Sequence, residues 1–248
     1  MSRTKIVAGN WKLNGNKALV SAFNNAFTVA KLDNVSVMIF PPALYVNEFD
    51  CEQLIIGVQN VSEQQSGAFT GELSTLMLND IDISHTLIGH SERRDLYHEN
   101  NDIIAAKVVT ALAANITPIL CIGESLDIRT AGKVNEFIQA QLDSVIDAVG
   151  MTGLSKCILA YEPIWAIGTG VTATPAQAQE VHAFIRDYLG SIDASVAQSL
   201  SILYGGSVNA KTAPDLFAQP DIDGGLVGGA SLKEEEFLTI CQAANQRG

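Results

Sequence analysis

The chain has 248 residues, of which 47% are hydrophobic and 17% are charged, and its formal net charge at pH 7 is −12. This length and composition are typical of one folded α/β domain and exclude a disordered chain. The acidic charge argues against nucleic acid or an anionic membrane as a partner. If the ligand is an anion, the site must attract it locally against the field of the whole protein.

Apolar segments and cysteines indicate where the protein resides. No apolar run approaches the length of a membrane span, and the opening MSRTKIVAGN has no apolar signal region, so we expect a cytoplasmic protein. Four cysteines lie far apart in the chain, at Cys51, Cys121, Cys157 and Cys241. Three of them interrupt apolar runs, which predicts buried free thiols in a reducing compartment rather than disulfides.

Short apolar runs rich in β-branched residues recur evenly along the chain. They predict eight strands, over residues 4–10, 35–41, 54–59, 85–90, 117–123, 157–162, 201–206 and 224–229. Most of the runs are continuously apolar, as in strands that are covered on both faces. Their average spacing of about 31 residues is the size of one βα unit.

Amphipathic stretches between the runs predict helices. Apolar residues recur at helical spacing over 134–149 and again over 178–189. The second stretch opens with Thr174 as an N-cap, Pro175 at the first helical position and Gln177 three residues after the cap. The chain therefore alternates strands with helices from end to end.

Eight parallel strands can close into a (β/α)8 barrel or lie open as a doubly wound sheet. The even spacing and a length near the usual ~250 residues favour the barrel. A G-x-G-x-x-G motif is absent after the first strand, and the nearest match, GTGVTA (168–173), ends in alanine and follows strand six. No repeat or linker divides the chain, so we predict a single (β/α)8 barrel domain over residues 1–248.

In such a barrel the active site forms just past the carboxyl ends of the strands. Glu162 ends predicted strand six, and Pro163 stops the backbone there from continuing the sheet. A solvent-facing carboxylate is the alternative for Glu162. However, the segment 163–173 places a small, glycine-containing tip between stiffer flanks, which is typical of a lid that moves over a ligand. Its glycines also let backbone N–H groups approach an anion.

His90 and Lys12 also follow predicted strands. His90 precedes Ser91-Glu92-Arg93-Arg94, which can begin a helix, so the helix dipole favours a neutral imidazole that still donates one hydrogen bond. A purely structural histidine is the alternative. His85 is about 16 Å from His90 along the strand, so the two cannot share a metal, and we predict no metal site. Lys12 is expected to be the one fixed cation at this rim, unless it is an ordinary surface lysine.

Glycine doublets follow the last two predicted strands, in YGGS (204–207) and VGGAS (227–231). Tight turns would explain either doublet alone. Both together suit a phosphate bound by backbone N–H groups, in the loops where barrels commonly bind phosphate.

Five motifs carry a resemblance to a known family. They are GNWKLNG (9–15), GHSERR (89–94), YEPIWAIGTG (161–170), YGGSV (204–208) and GGLVGGASL (224–232). In this order and spacing they resemble the signatures of the triosephosphate isomerase family, over essentially the whole chain. The resemblance implies interconversion of dihydroxyacetone phosphate and glyceraldehyde 3-phosphate without a cofactor.

The resemblance also implies a role for each matching residue. Glu162 corresponds to the catalytic base, His90 to the electrophile, and Asn10 and Lys12 to the substrate-binding pair. The phosphate-binding positions correspond to Gly168, Ser207, Gly228 and Gly229. Ser91 and Glu92 correspond to supporting residues, with Glu92 close to the lysine.

The resemblance has departures and an implication for assembly. Leu13 stands where methionine is commoner, Val171 stands where lysine is frequent, and His85 has no role in the pattern. The loop 59–74 resembles the family's dimerisation loop, with Thr70 at its tip. We therefore expect a homodimer in which this loop supports Asn10 and Lys12 of the other subunit.

Two other functions remain open at this point. A Schiff-base aldolase on the same barrel would need a reactive lysine at a strand end, and Lys12 is the only candidate. A catalytically inactive barrel that senses a sugar phosphate is the other. The presence of both Glu162 and His90 argues against the sensor.

Overall fold

The computed structural model describes residues 3–168 and 172–246. Its strands are β1 (Lys5–Asn10), β2 (Val35–Phe40), β3 (Leu54–Ile56), β4 (His85–Ile88), β5 (Thr117–Ile122), β6 (Ile158–Tyr161), β7 (Ile202–Tyr204) and β8 (Gly224–Val227). Its α-helices are α1 (Lys17–Thr28), α2 (Thr75–Asp80), α3 (Ser91–Leu96), α4 (Asn101–Ala113), α5 (Leu126–Thr130), α6 (Val134–Leu154), α7 (Pro175–Ile192), α8 (Ala194–Ser199), α9 (Ala213–Phe217) and α10 (Glu234–Asn245). Short 3-10 helices span Ala43–Glu48, Ile164–Ala166 and Gly229–Leu232.

The strands form one parallel sheet in the order β3-β2-β1-β8-β7-β6-β5-β4. An isolated parallel bridge between Val58 and Thr86 joins the two edge strands. Two hydrogen bonds make this bridge: Val58 N–H donates to the His85 carbonyl at 3.1 Å, and Leu87 N–H donates to the Val58 carbonyl at 2.9 Å. The sheet thus closes on itself with helices outside, and the predicted (β/α)8 barrel is confirmed.

Several strands end earlier than the sequence predicts. β6 stops at Tyr161 and β4 at Ile88, so Glu162 and His90 lie just beyond their strands rather than at the last strand position. The largest difference is β3, predicted over 54–59 but ending at Ile56. The Gly57 N–H still donates to the Ile39 carbonyl of β2, and from Val58 onward the backbone hydrogen bonds go to β4, where they form a bridge in place of a ladder.

The core has two layers, because successive side chains of each strand point to opposite faces. Side chains that fill the barrel interior include Ile6, Ala8, Met38, Phe40, Leu87, Ile119, Cys121, Leu203 and Leu226. The intervening strand residues, such as Val7 and Ile39, pack outward against the helices. Both faces are therefore apolar, which explains the continuous apolar runs.

Helix α7 begins as the sequence predicts. Thr174 accepts a hydrogen bond from the backbone N–H of Gln177, the Gln177 side chain accepts from the N–H of Thr174, and Pro175 occupies the first turn. An N-cap of this kind stabilises a helix by about 1 kcal/mol. It fixes the point where the chain returns from the predicted lid to the barrel wall.

The cysteines and the helices of the structure can both be compared with the expectations from the sequence. All four cysteines are free and buried, as predicted. None of the helices in the described ranges is both long and apolar enough to cross a bilayer.

Candidate active site

The side chains at the strand ends meet around one cavity of about 410 Å³. Eight residues singled out in the sequence line it: Asn10, Lys12, His90, Glu162, Gly168, Ser207, Gly228 and Gly229. They belong to β1 and to the loops after β1, β4, β6, β7 and β8. Residues spread from position 10 to position 229 therefore converge, and Glu162 and His90 face the same space.

The Glu162 carboxylate is buried and held by donors on both oxygens. The backbone N–H of Ser91 donates to its Oε2 at 2.8 Å, and the Ser91 hydroxyl donates to Oε1 at 3.4 Å. His90 Nε2 lies 3.0 Å from the same Oε1. The loop after β4 thus presents three polar groups to the single acid that follows β6.

The geometry around His90 identifies its tautomer. His90 caps helix α3, and its Nδ1 accepts a hydrogen bond from the backbone N–H of Glu92 at 3.2 Å. A backbone N–H can only donate, so Nδ1 carries no proton and the ring hydrogen is on Nε2, toward Glu162. In this geometry Nε2 is the ring nitrogen that can donate a hydrogen bond toward Glu162.

Lys12 is held in an unusual backbone conformation next to Asn10. Its φ of 53° lies in the left-handed region, which costs about 1–3 kcal/mol for a non-glycine residue. Asn10 Oδ1 accepts from the Lys12 backbone N–H at 3.0 Å, and Gln59 Nε2 donates to the Lys12 carbonyl at 2.8 Å. The Lys12 ammonium contacts Glu92 Oε1 at 2.6 Å. These contacts fix where the positive charge sits.

Lys12 is not the only cation at the cavity, so that expectation was wrong. Lys233 and Glu236, from the loop before α10 and its first turn, also line the space. Lys233 Nζ lies 3.8 Å from Glu236 Oε2, and its side chain is 77% exposed. Since Lys233 is six residues beyond the end of β8, a search restricted to strand ends could not find it.

The two glycine doublets serve different purposes. A Cβ at Gly205 would come within 2.9 Å of Glu162 Cγ, and one at Gly206 would overlap the Tyr204 hydroxyl, so close packing alone requires this doublet. By contrast, a Cβ at Gly229 would meet nothing within 4 Å, and one at Gly228 would only touch Lys12 Cε at 3.7 Å. The second doublet therefore leaves open space that faces the cavity.

The described residues at the start of the segment 163–173 are anchored at two points. Trp165 Nε1 donates to the buried Glu124 Oε1 at 2.8 Å, and the Ser207 hydroxyl donates to the Ala166 carbonyl at 2.8 Å. Part of the predicted tip, residues 169–171, lies outside the described residues, and so does the departure at Val171.

Two further residues support the site, although the sequence analysis assigned them no role. They are Gln59 and Glu124, and both follow shortly after strands, where polar residues collect. Gln59 supports Lys12 as described above. Glu124 Oε1 accepts from Tyr161, Trp165 and Arg129 at 3.0, 2.8 and 3.1 Å. Which partner a strand-end amide or acid finds depends on neighbouring strands, and the sequence alone does not show it.

Among the described residues, neither His85 nor a metal-binding cluster lines this cavity. Over residues 3–168 and 172–246, no cluster of three or more His, Cys, Asp or Glu side chains could hold a metal ion. His85 lies at the first position of β4, where Ser84 Oγ is 2.9 Å from its Nδ1.

Comparison with known proteins identifies the family. The family model described as triosephosphate isomerase matches residues 5–244. The chain belongs to the triosephosphate isomerase family. Triosephosphate isomerases of Xanthomonas euvesicatoria pv. vesicatoria and Pseudoalteromonas translucida are 50% and 47% identical to it, with 98% of each chain covered. That of Vesicomyosocius okutanii is 49% identical and matches over its entire length.

The resemblance drawn from the five motifs is thus confirmed. Since it matches relatives named triosephosphate isomerase over 98% of its length, the chain is an isomerase.

Proposed function

We propose that this isomerase interconverts dihydroxyacetone phosphate and D-glyceraldehyde 3-phosphate, a step of glycolysis and gluconeogenesis. The observation that carries the proposal is the 3.0 Å contact between Glu162 and His90 Nε2 in a cavity that Gly228 and Gly229 also line. Proton transfer between adjacent carbons of a triose phosphate needs a base, a neutral donor and room for the phosphate. The relatives named triosephosphate isomerase support this choice of substrate.

Glu162 is the base in this proposal. It removes a proton from the carbon beside the carbonyl, and an enediolate forms. The proton then returns to the neighbouring carbon, and the hydroxyl hydrogen passes to the former carbonyl oxygen, so no external reagent is consumed. In the structure both Glu162 oxygens are occupied by Ser91 and His90, so the carboxylate must exchange these contacts for the substrate. Gly205 leaves room for the Glu162 side chain to change position, because a Cβ there would press on Glu162 Cγ.

His90 and Lys12 stabilise the negative oxygen of the enediolate. The Nε2–H of neutral His90 donates a hydrogen bond without first transferring a charge, and the Lys12 ammonium adds a fixed positive charge. Asn10 holds Lys12 in its left-handed conformation through the backbone N–H and lines the cavity beside it. Glu92 keeps the ammonium in place through the 2.6 Å contact.

The phosphate binds at the other residues of the site in this proposal: Gly168, Ser207, Gly228 and Gly229. The lid formed by residues 163–173 closes over it. Closure removes water from around Glu162, which makes the carboxylate more basic. It also protects the enediolate, which would readily expel its neighbouring phosphate in water.

A Schiff-base aldolase is disfavoured by the surroundings of Lys12. A lysine that attacks a carbonyl must be an uncharged amine. The 2.6 Å contact with Glu92 Oε1 instead favours the ammonium form. Borohydride treatment with dihydroxyacetone phosphate should therefore leave no stable adduct on Lys12.

A coupled isomerase assay tests the proposed function. We expect turnover by the wild-type protein, and a loss of about 10²–10⁴ in kcat for Glu162→Gln with a small change in KM, since a general base acts in the transition state. Glu236→Gln is the matched control, because Glu236 lines the cavity without contacting Glu162 or His90. Wild-type turnover no faster than that of Glu162→Gln, or a borohydride adduct on Lys12, would contradict the proposal.

We also infer a homodimer. A second cavity of about 480 Å³ shares Asn10, Lys12 and His90 with the first, and Leu13, Leu96 and Tyr97 line it. These last three side chains are 97%, 66% and 65% exposed in the single chain, and so large an apolar surface is typical of an interface. The loop 59–74 of a second copy, with Thr70 at its tip, is the proposed occupant. The site's catalytic residues would then be supported from outside.

Domain organisation and location follow as further proposals. One sheet contains all eight strands, from Lys5 in β1 to Val227 in β8, which supports a single domain over residues 1–248. Four buried free thiols are compatible with the expected cytoplasmic location, where thiols stay reduced.

A further inference from the structure

The motif GHSERR (89–94) ends in two arginines, and neither has yet been given a role in the site. Arg93, the first, forms an ion pair with Glu99 at 2.6 Å and lies over the ring of Tyr97. Arg94, the second, instead bonds to the wall of the barrel. Its guanidinium donates hydrogen bonds to groups of three different elements of the fold.

The guanidinium of Arg94 spans the junction of β4, β5 and α4. Its Nε donates to the Gly89 carbonyl at 2.8 Å, and its Nη2 donates to the Cys121 carbonyl at 2.9 Å. Gly89 and Cys121 directly follow the last paired residues of the β4–β5 ladder. The remaining nitrogen, Nη1, donates to Asn101 Oδ1, at the start of α4, at 2.9 Å. Arg94 therefore fixes the point where the chain leaves β4.

The turn after β4 depends on glycine at position 89. Gly89 has a φ of 74°, in the left-handed region that favours glycine. A Cβ there would come within 3.1 Å of Arg94 Nη2 and 3.2 Å of the Cys121 carbonyl oxygen. A side chain at this position would therefore be both strained and crowded, so the backbone turn and the guanidinium fit together.

Arg94 binds both carbonyl groups that flank the α-carbon of His90. Its side chain holds the Gly89 carbonyl, and its backbone N–H donates to the His90 carbonyl at 3.1 Å. One residue thus binds the peptide groups on both sides of His90. The ring is held separately, by the Glu92 N–H on Nδ1. Together these contacts determine where Nε2, which lies 3.0 Å from Glu162 Oε1, points.

We propose that Arg94 is a positioning residue for His90: by binding the backbone on both sides of His90, it aims Nε2 at the oxygen of the enediolate. The inference rests on the proposed function, because it takes His90 to be the donor to that oxygen. Lysine cannot replace Arg94, since an ammonium group is a point charge and lacks the planar set of donors that reaches two strands at once. A displacement of about 1 Å in an active site can slow a reaction about 10²-fold.

Steady-state kinetics of Arg94→Lys test this role. The variant keeps the positive charge but loses the planar donors, so we expect kcat to fall about 10- to 100-fold while KM changes less than about twofold. His90→Asn is the background that isolates the effect, because asparagine can still cap α3 but carries no imidazole. If Arg94 acts through His90, Arg94→Lys lowers kcat of His90→Asn by less than about twofold. An equal loss in both backgrounds, or a change in KM alone, would overturn the inference.

Hydrogen exchange measures the same contacts without substrate. The peptide covering residues 88–95 is followed by mass spectrometry in the wild-type protein and in Arg94→Lys. We expect its amides, which include those of Ser91 and Glu92, to exchange about tenfold faster in the variant, while exchange in α10 is unchanged. Equal exchange of this peptide in the two proteins would overturn the inference.

A milder variant covers the case in which Arg94→Lys does not fold. Asn101→Ala removes one acceptor of the guanidinium at a half-buried position, and it should lower kcat about threefold in the wild-type background but not in His90→Asn. A threefold loss in both backgrounds would count against the inference. A wild-type protein without isomerase turnover would instead contradict the proposed function, and the exchange of residues 88–95 would still decide whether Arg94 holds the turn.

Discussion

The backbone N–H of Ser91 holds Oε2 of Glu162 at 2.8 Å, while the other carboxylate oxygen faces His90. In this arrangement the proposed base is engaged with the protein and not with substrate. We predict that a crystal structure with 2-phosphoglycolate shows Glu162 released from the Ser91 N–H and turned toward the ligand. A carboxylate that keeps the Ser91 contact in the complex would contradict the proposed base.

The glycines give a matched pair of substitutions. Gly229→Ala adds a methyl group that meets nothing in the protein, so stability should be unchanged while KM rises at least tenfold, because the methyl group occupies the proposed phosphate site. Gly205→Ala presses on Glu162 Cγ and should lower thermal stability as well as kcat. Thermal denaturation and steady-state kinetics measure both. A Gly229→Ala enzyme with normal KM would place the phosphate elsewhere.

Substitutions of the two lysines at the cavity, Lys12 and Lys233, should have different kinetic effects. Lys12→Met removes a charge fixed by Glu92 and should raise KM and lower kcat at every salt concentration. Lys233 is exposed, so Lys233→Met should only weaken attraction of the anionic substrate. Its severalfold effect on kcat/KM should vanish near 1 M salt, where the Debye length is about 3 Å. Lys156→Met, just before the start of β6 and so at the opposite end of the barrel, is the control. A salt-independent defect in Lys233→Met would indicate direct contact with substrate.

Burial of neutral His182 should make stability depend on pH. Burial lowers the His182 pKa from 6.5 to about 3. Between these values the unfolded chain binds a proton that the folded chain does not, so stability falls as pH drops, by about 1.4 kcal/mol per pH unit. In His182→Gln this contribution is absent. Urea denaturation between about pH 6 and about pH 4 should show a shallower slope for the variant, whereas equal slopes would mean that His182 is protonated in the fold.

Assembly can be tested at the tip of the loop 59–74. Thr70 is exposed in the single chain, so Thr70→Arg should leave the barrel folded but block insertion into a second copy. We expect a monomer by analytical ultracentrifugation at micromolar concentration, with kcat reduced at least tenfold because Lys12 loses external support. Val29→Arg, at an exposed apolar position outside this loop, should remain dimeric. A wild-type protein that is active as a monomer would contradict the proposed homodimer.

The sequence predicted the barrel and the residues around its cavity because strand ends are local features. Glu162, His90 and Lys12 each follow an apolar run, and a parallel sheet brings such positions to one rim. What could not be predicted depends on non-local packing. Ser91 as the partner of Glu162, the left-handed φ of Lys12 and the presence of Lys233 arise from loops of different strands.

Strand lengths illustrate the same limit. The run 54–59 is apolar throughout, yet only Leu54–Ile56 pairs with β2, because the chain must pass to β4 to close the barrel. Apolar character predicts that a segment is buried in a sheet. It does not say with which neighbour each residue pairs.

The β3–β4 junction is one of the two weakest junctions of the barrel wall, because a single bridge at Val58 closes it. The strands β7 and β8 also share a single paired position, whereas the other neighbouring strands share ladders of three or more. Thermal fluctuations should therefore open the β3–β4 junction early, directly below Gln59 and the Lys12 backbone that it supports. Local opening at this junction would displace Gln59 and with it the backbone of Lys12, while the helices are still folded. Inactivation on heating should therefore precede global unfolding.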